Sequence, residues 1–244
     1  MPKLYIGTSG FSFDSWKGEF YPDDVREKDM LAAYSQTFKS VEINNSFYRL
    51  PAATTVDKWV NIAPPDFIFA YKANRYITHR KKLKITDEPI ERLNNAVAPF
   101  GKKLGPILFQ LPPRWKVNVE RLREFVAALP KKHRYTFEFR DPSWLCDQVY
   151  DVLSNRNIAL CFYDYRGFQS PEIPTADFVY LRLHGPNPEA YTGSYGSKAL
   201  SQYAKKIKAW QKQGLDVYCY FDNDQKSCAP ADGQVLQKKV GTPD

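Results

Sequence analysis

Tyr135-Thr136-Phe137-Glu138-Phe139-Arg140-Asp141-Pro142-Ser143-Trp144 is the stretch on which the fold turns. Side chains alternate faces along a strand, so Tyr135, Phe137 and Phe139 share an apolar face while Thr136, Glu138 and Arg140 share a polar one that ends in an ion pair. Asp141 followed by Pro142 reads as a helix start: Asp accepts from the free N–H groups of a first turn, and Pro is tolerated at the first helical position. Strand, turn and helix thus follow one another, with charge at the strand's carboxyl end, where parallel α/β folds build their sites.

The same unit recurs on both sides. Leu4–Ser9 breaks into Gly7-Thr8-Ser9-Gly10 and an aromatic loop, and Asp24–Lys39 then carries Leu31, Tyr34 and Phe38 at helical spacing. Ser40–Asn45 sets Glu42 and Asn44 against Val41 and Ile43, and Pro51 opens a helix bearing Val56, Trp59 and Val60. Phe67–Asn74 has Lys72 near its end, followed by a basic loop, Arg75–Lys84, and a helix capped near Thr86. Gly105–Leu111 carries Gln110 and is stopped by Pro112-Pro113, because proline cannot supply a ladder donor; helix Val119–Leu129 leads back to Tyr135. Downstream lie strands Asn157–Asp164, Phe178–His184 and Leu215–Asp222, with helix Ser197–Lys212 before the last. Roughly a dozen residues separate the sixth and seventh strands, so the sixth helix is short or missing. The tail beyond Pro230 is too polar to assign to a helix or a strand.

Eight strand-like runs alternating with helical ones in 244 residues predict an α/β fold, a single (β/α)8 TIM-type barrel spanning residues 1–244. An open doubly wound sheet is the alternative. Its dinucleotide fingerprint, Gly-x-Gly-x-x-Gly after the first strand, is missing, so no nucleotide cofactor is expected. Hydrophobic content of 43%, with 15% aromatic, is ample for a packed core. No run approaches the roughly 20 apolar residues of a membrane span, and Met1-Pro2-Lys3 leads straight into a strand without a signal-peptide core. A cytoplasmic protein with no membrane partner is expected. The four cysteines show no Cys-x-x-Cys spacing and read as free thiols. A net charge of +8 favours anionic partners.

In a barrel the carboxyl ends of all strands converge on one mouth. That brings together Thr8 and Ser9, Glu42 and Asn44, Lys72, Gln110, Glu138 and Arg140, Asp164, Arg182 and His184, and Asp222 and Asn223; His79, in the basic loop after the third strand, faces the same way. Arg140 and Arg182 present planar forks suited to phosphate or carboxylate. Glu138 or Glu42 can then act as base and His184 or Lys72 as acid, with Asp164 a further titratable group. A divalent metal is the less favoured occupant, since two arginines and a lysine in the same mouth repel a cation. The bland alternative is a lattice of mutually neutralising charges, but buried ion networks give poor net stability.

Seven motifs in order give the chain a family resemblance: Gly7-Thr8-Ser9-Gly10; Val41-Glu42, Asn44 and Phe47-Tyr48 with Pro51; Lys72 followed by Thr78-His79; Leu104-Gly105-Pro106 with Gln110-Leu111-Pro112-Pro113; Phe137-Glu138 and Arg140 with Ser143-Trp144; Arg182 with His184-Gly185; and Tyr220-Phe221 with Asn223. The chain resembles the YecE-like family, domain of unknown function 72, over almost its whole length. That resemblance implies a TIM-type barrel and names no reaction. Departures from the pattern are Phe11 where the family usually has Trp, Asp222 where it usually has Asn, and Lys226–Cys228 where a Gly is usual, with a short helix after it and so a short C-terminal unit.

Two functional classes follow. One is an enzyme, an isomerase, lyase or hydrolase, doing acid/base chemistry on a phosphorylated or otherwise anionic small molecule at the mouth, with a non-catalytic ligand sensor as its variant. The other is a nucleic-acid-binding protein or phosphodiesterase, suggested by the net charge, the basic loop and aromatics such as Trp16, Tyr48, Tyr76, Trp115, Trp144, Tyr165 and Tyr191 interleaved with Arg and Lys.

Overall fold

The computed structural model describes residues 2–84 and 87–241, which leaves the helix cap near Thr86 outside the described residues. The strand-like runs become β1 (Leu4–Thr8), β2 (Ser40–Ile43), β3 (Ile68–Lys72), β4 (Leu104–Gln110), β5 (Tyr135–Glu138), β6 (Ala159–Tyr165), β7 (Phe178–Leu183) and β8 (Asp216–Phe221). Each pairs in parallel with the next from β2 to β8, and β8 pairs in parallel with β1. The ring closes at a parallel bridge between Ser9 and Glu42, where the Gly10 N–H donates to the Glu42 carbonyl at 2.9 Å.

Helices fill the connections: α1 (Met30–Thr37), α2 (Ala53–Ile62), α3 (Asp87–Val97), α4 (Val119–Ala128), α5 (Asp147–Ser154), α6 (Gly196–Lys212) and α7 (Cys228–Gly241). The sixth connection holds no helix, in keeping with its length: Phe168–Gln169 folds back antiparallel on β6. Asp141 accepts from the Ser143 N–H at 3.0 Å, as its position before Pro142 predicts, but the turn it caps is the short 3-10 segment Pro142–Trp144, and α5 begins five residues later than Pro142, at Asp147. The C-terminal unit is fuller than its polar sequence suggests. Helix α7 runs for 14 residues and buries Ala229, Pro230, Gly233 and Leu236 against the barrel. Its entry is the divergent Lys226–Cys228 region, where Lys226 and Ser227 adopt φ of 52° and 57°. Left-handed backbone places Cβ against the following carbonyl, so Lys226→Gly is expected to stabilise the protein by about 0.5–1 kcal/mol, read as a higher urea midpoint at unchanged slope.

Strand alternation divides the interior into two cores. Outward residues such as Val41, Phe69, Phe109, Phe137, Leu160, Phe162, Leu181 and Phe221 pack under the helices, while Tyr180, Tyr218, Tyr220, Phe178, Cys161, Leu108, Ala70 and Ala159 fill the barrel itself. Large rings enter from β7 and β8, opposite Ala70 of β3 and Leu108 of β4, so volume is complementary across the lumen. Buried phenols need partners. Tyr220 Oη lies 2.6 Å from Ser40 Oγ, Tyr180 Oη donates to Glu42 Oε2 at 2.6 Å, and Tyr218 Oη accepts from Arg134 at 3.1 Å.

The β1–β2 seam is tight. A Cβ at Gly7 would stand 2.0 Å from the Ser40 carbonyl oxygen, and the Tyr34 hydroxyl of α1 bridges the strands, accepting from the Thr8 N–H at 2.9 Å and donating to the Ser40 carbonyl at 3.0 Å. All four cysteines are free thiols, with Cys161 inside the barrel and Cys219 beneath the helices. No described helix is long and apolar enough to cross a membrane.

Candidate active site

Arg182 occupies the centre of the carboxyl-end mouth and is fully buried. Its register on β7 aims it inward, above Tyr180 and level with the ends of β2, β5 and β8. Its Nε donates to Glu42 Oε2 at 3.0 Å and its Nη1 to Glu138 Oε2 at 2.8 Å; Nη2 meets Glu42 Oε1 at 2.8 Å, Asp222 Oδ2 at 2.9 Å and Ser9 Oγ at 3.2 Å. One guanidinium therefore gathers three carboxylates. Ser9 Oγ in turn donates to Glu42 Oε1 at 2.7 Å.

A second tier lies above it. Arg140 pairs through Nε with Glu138, donates from Nη2 to His184 Nε2 at 3.0 Å, and stacks 3.9 Å from the Tyr165 ring centre. His184 Nε2 also receives Arg182 Nη1 at 3.2 Å, and two obligate donors make that nitrogen the acceptor. The ring's other nitrogen, Nδ1, is 2.9 Å from Asp222 Oδ2 but out of hydrogen-bond alignment. Gln110 donates to Glu138 Oε1 at 3.1 Å.

The electrostatics follow from burial and these neighbours. Burial alone would raise Glu138, but the guanidinium groups of Arg140 and Arg182 hold its carboxyl well below the usual carboxylate range. Asp222 is likewise lowered, burial being overcome by Arg182 and then His184. Lys72 is 7% exposed, and its Nζ lies 4.6 Å from the centre of the Phe47 ring, with no carboxylate at ion-pair distance among the described residues. Burial and the Arg182 charge push its amine down to about 8. His79 stands edge-on to Phe47 with ring centres 5.1 Å apart, its Nδ1 2.9 Å from Thr78 Oγ1; burial, Arg75 and Lys72 lower it to about 4. Asn44 lines a neighbouring cleft of about 870 Å³ that reaches Ser9 and Trp59.

Among the described residues no group of three or more His, Cys, Asp or Glu side chains is arranged to hold a metal ion. The reason is visible at the centre: the position equidistant from the carboxylates is filled by the Arg182 guanidinium.

A family described as "Protein of unknown function DUF72" matches residues 5–244. The chain belongs to that family. The chain is 27% identical to UPF0759 protein YunF of Bacillus subtilis, over 96% of this chain and 93% of YunF. It is 26% identical to UPF0759 protein YecE of Escherichia coli K12, over 64% of this chain and 55% of YecE. The crystal structure of a DUF72 family protein from Thermotoga maritima superposes with a TM-score of 0.89 at 28% identity, covering 98% of this chain and all of that one.

In this DUF72 barrel, Glu42, Lys72, Gln110, Glu138, Arg140, Arg182, His184 and Asp222 meet at the mouth, while Asp164 and Asn223 turn away from it. Asp164 shares the outward face of β6 with Phe162 and accepts from Tyr195 Oη at 2.5 Å, Tyr203 Oη at 3.2 Å and the His184 N–H at 2.9 Å; burial raises its carboxyl. It ties α6 and the preceding loop to the barrel. Asn223 donates to Asp232 Oδ2 and the Gly193 carbonyl, each at 2.8 Å, and so anchors α7. Counting alternation through Leu160–Asp164 and Cys219–Asn223 predicts both placements. Trp16 and Trp144 are core rather than rim, whereas Tyr48 is 73% and Tyr191 43% exposed.

Two residues beside the DUF72 mouth escape a search for charged strand ends. Tyr180 hides its Glu42 contact in an apolar run, and Asp224 lines the cleft beside Ser9 and Asn44. Asp224 Oδ1 is buried without a partner, and burial together with Asp222 raises its carboxyl to about 8.

Proposed function

We propose that the protein is an enzyme whose barrel mouth binds a phosphorylated or otherwise anionic small molecule and performs proton-transfer chemistry on it, as an isomerase, lyase or hydrolase. Lys72 carries the reading: a buried ammonium without a counter-ion is costly, and every carboxylate near it is already bound to an arginine. An incoming anion supplies the missing partner. Arg140 offers a second anchor, because its Nη1 has no partner among the described residues.

In this assignment Lys72 both holds the anion and moves a proton, since an amine near 8 exchanges protons close to neutrality. Glu138, lowered as it is, is a weak base and anchors Arg140 and Arg182. Glu42, Asp222 and Arg182 form the floor, and His184 and Gln110 orient Arg140 and Glu138.

The test is melting of wild type and Lys72→Met against inorganic phosphate, glycerol 3-phosphate and citrate, with turnover followed by NMR. One class of anion is expected to raise the wild-type melting temperature at pH 7, and the shift should fade as pH rises through about 8 and Lys72 loses its charge. Lys72→Met should lose the shift yet melt higher on its own, since removing a desolvated charge relieves on the order of 3 kcal/mol. The folded amine sits below the ordinary lysine value of 10.5, so between about 8 and 10.5 the unfolded chain binds more protons and wild-type stability rises with pH. That slope should vanish in the variant. Wild type indifferent to every anion, or a Lys72→Met protein that melts lower, would return the mouth to a structural lattice. Saturable binding without turnover would make it a sensor.

A further inference from the structure

Beside the mouth, at the carboxyl ends of β2 and β3, lies a separate cleft of about 540 Å³. Four arginines line it: Arg49, Arg75, Arg80 and Arg92. Arg92 pairs with Glu88 on α3 at 3.4 Å; Arg49, Arg75 and Arg80 have no carboxylate at ion-pair distance among the described residues, although all are exposed and free to adopt such pairs. Concave walls with low-dielectric backing focus such charge, and guanidinium forks match phosphate oxygens. Apart from Asn74, whose amide donates to the Ser46 carbonyl at 2.9 Å, the other lining groups are aromatic or apolar. Tyr48 stands at the rim, 73% exposed, Tyr76 carries the Lys81 ammonium 5.4 Å from its ring centre, and the buried Ile77 and Leu93 form the floor.

We infer that this cleft is a binding site for a nucleotide, its phosphates held by Arg49, Arg75 and Arg80 and its base stacked on Tyr48 over the apolar floor. Two features favour a free nucleotide over a nucleic-acid strand. The volume lies in the range of small-molecule pockets, and the arginines gather round one concavity rather than following a track. The site is distinct from the Lys72 mouth, and the inference does not rest on the reading of that mouth.

Calorimetric titration of the intact protein with AMP, ADP and pyrophosphate decides it. Saturable binding of ADP is expected, tighter than AMP. The double variant Arg75→Gln, Arg80→Gln should weaken ADP at least about tenfold, since each removes a charged hydrogen bond to phosphate. Tyr48→Ala should weaken ADP by about fivefold or more and leave pyrophosphate unchanged, because stacking involves only the base. Several results overturn the inference: no binding of ADP, ADP affinity indifferent to the arginine pair, or pyrophosphate binding as well as ADP with Tyr48→Ala silent. A ten-residue oligothymidylate binding more than about a hundredfold tighter than a mononucleotide would replace it with a nucleic-acid surface. Loss of ADP binding in Lys72→Met, with the arginine variant unaffected, would move the ligand to the mouth and overturn it as well.

Discussion

Arg182→Met is expected to unfold the protein at pH 7. The substitution leaves Glu42, Glu138 and Asp222 buried around an apolar side chain, and breaking even one buried ion pair by removing a partner costs about 3–5 kcal/mol. Against a total stability of roughly 5–15 kcal/mol, the loss of the cation shared by all three is decisive. Its pH signature separates it from a simple packing defect. In the wild type Glu138 and Asp222 have folded values below their ordinary ones, so their contribution is present above the usual carboxylate range and lost as pH falls through the folded values. Without Arg182, Glu138 keeps Arg140, but Asp222 loses the larger of the groups that offset its burial, so its value rises and the sign reverses there: the variant should gain structure as pH falls from 7 toward 5. Circular dichroism and urea unfolding at both pH values check this, with Arg182→Lys expected to fall between the two because one ammonium cannot present the same fork to three acids. A Met variant with wild-type stability at pH 7 would mean that the guanidinium is dispensable to the fold.

Gly7→Ala should be nearly as damaging for a different reason. The new methyl would lie 2.0 Å from the Ser40 carbonyl oxygen and 3.0 Å from the Tyr34 hydroxyl, and the first of these is backbone that cannot swing aside. Relief requires β1 and β2 to separate where the ring closes, with loss of about 3 kcal/mol or more. Ser9, two residues on, would withdraw from Glu42 and Arg182 at the same time. Thermal unfolding gives the size of the effect; a variant melting within a degree or two of wild type would show that the seam is looser than its distances imply.

Most of the barrel was legible because strand and helix periodicities differ, and Tyr135–Trp144 already contains the change from one to the other. Legibility of the mouth depended on one further step, the parity of each strand. Glu138 and Arg140 alternate with phenylalanines, so their inward direction is plain, while Asp164 and Asn223 look equivalent until alternation is counted back to Leu160 and Cys219. Other features had no local signal. The need for glycine at position 7 arises from a carbonyl 33 residues away in sequence, at Ser40. Helix α7 is polar in composition yet held by Asp232, whose carboxylate accepts from Ser194 Oγ, the Tyr195 N–H and Asn223. Tyr180 reads as core because its ring is core; only its hydroxyl belongs to the site.

The Arg182 hub also governs when the molecule can be finished. Its partners Ser9 and Glu42 lie 173 and 140 positions upstream, while Asp222 lies 40 positions downstream. Such distant pairings are slow to form, because loop-closure entropy is lost before any of them is made. During synthesis the early carboxylates stay hydrated until the seventh strand emerges, and the guanidinium lacks its third acid until the eighth does. Ring closure and dehydration of these charges therefore coincide late, so that an incomplete chain has no low-energy way to seal its own centre.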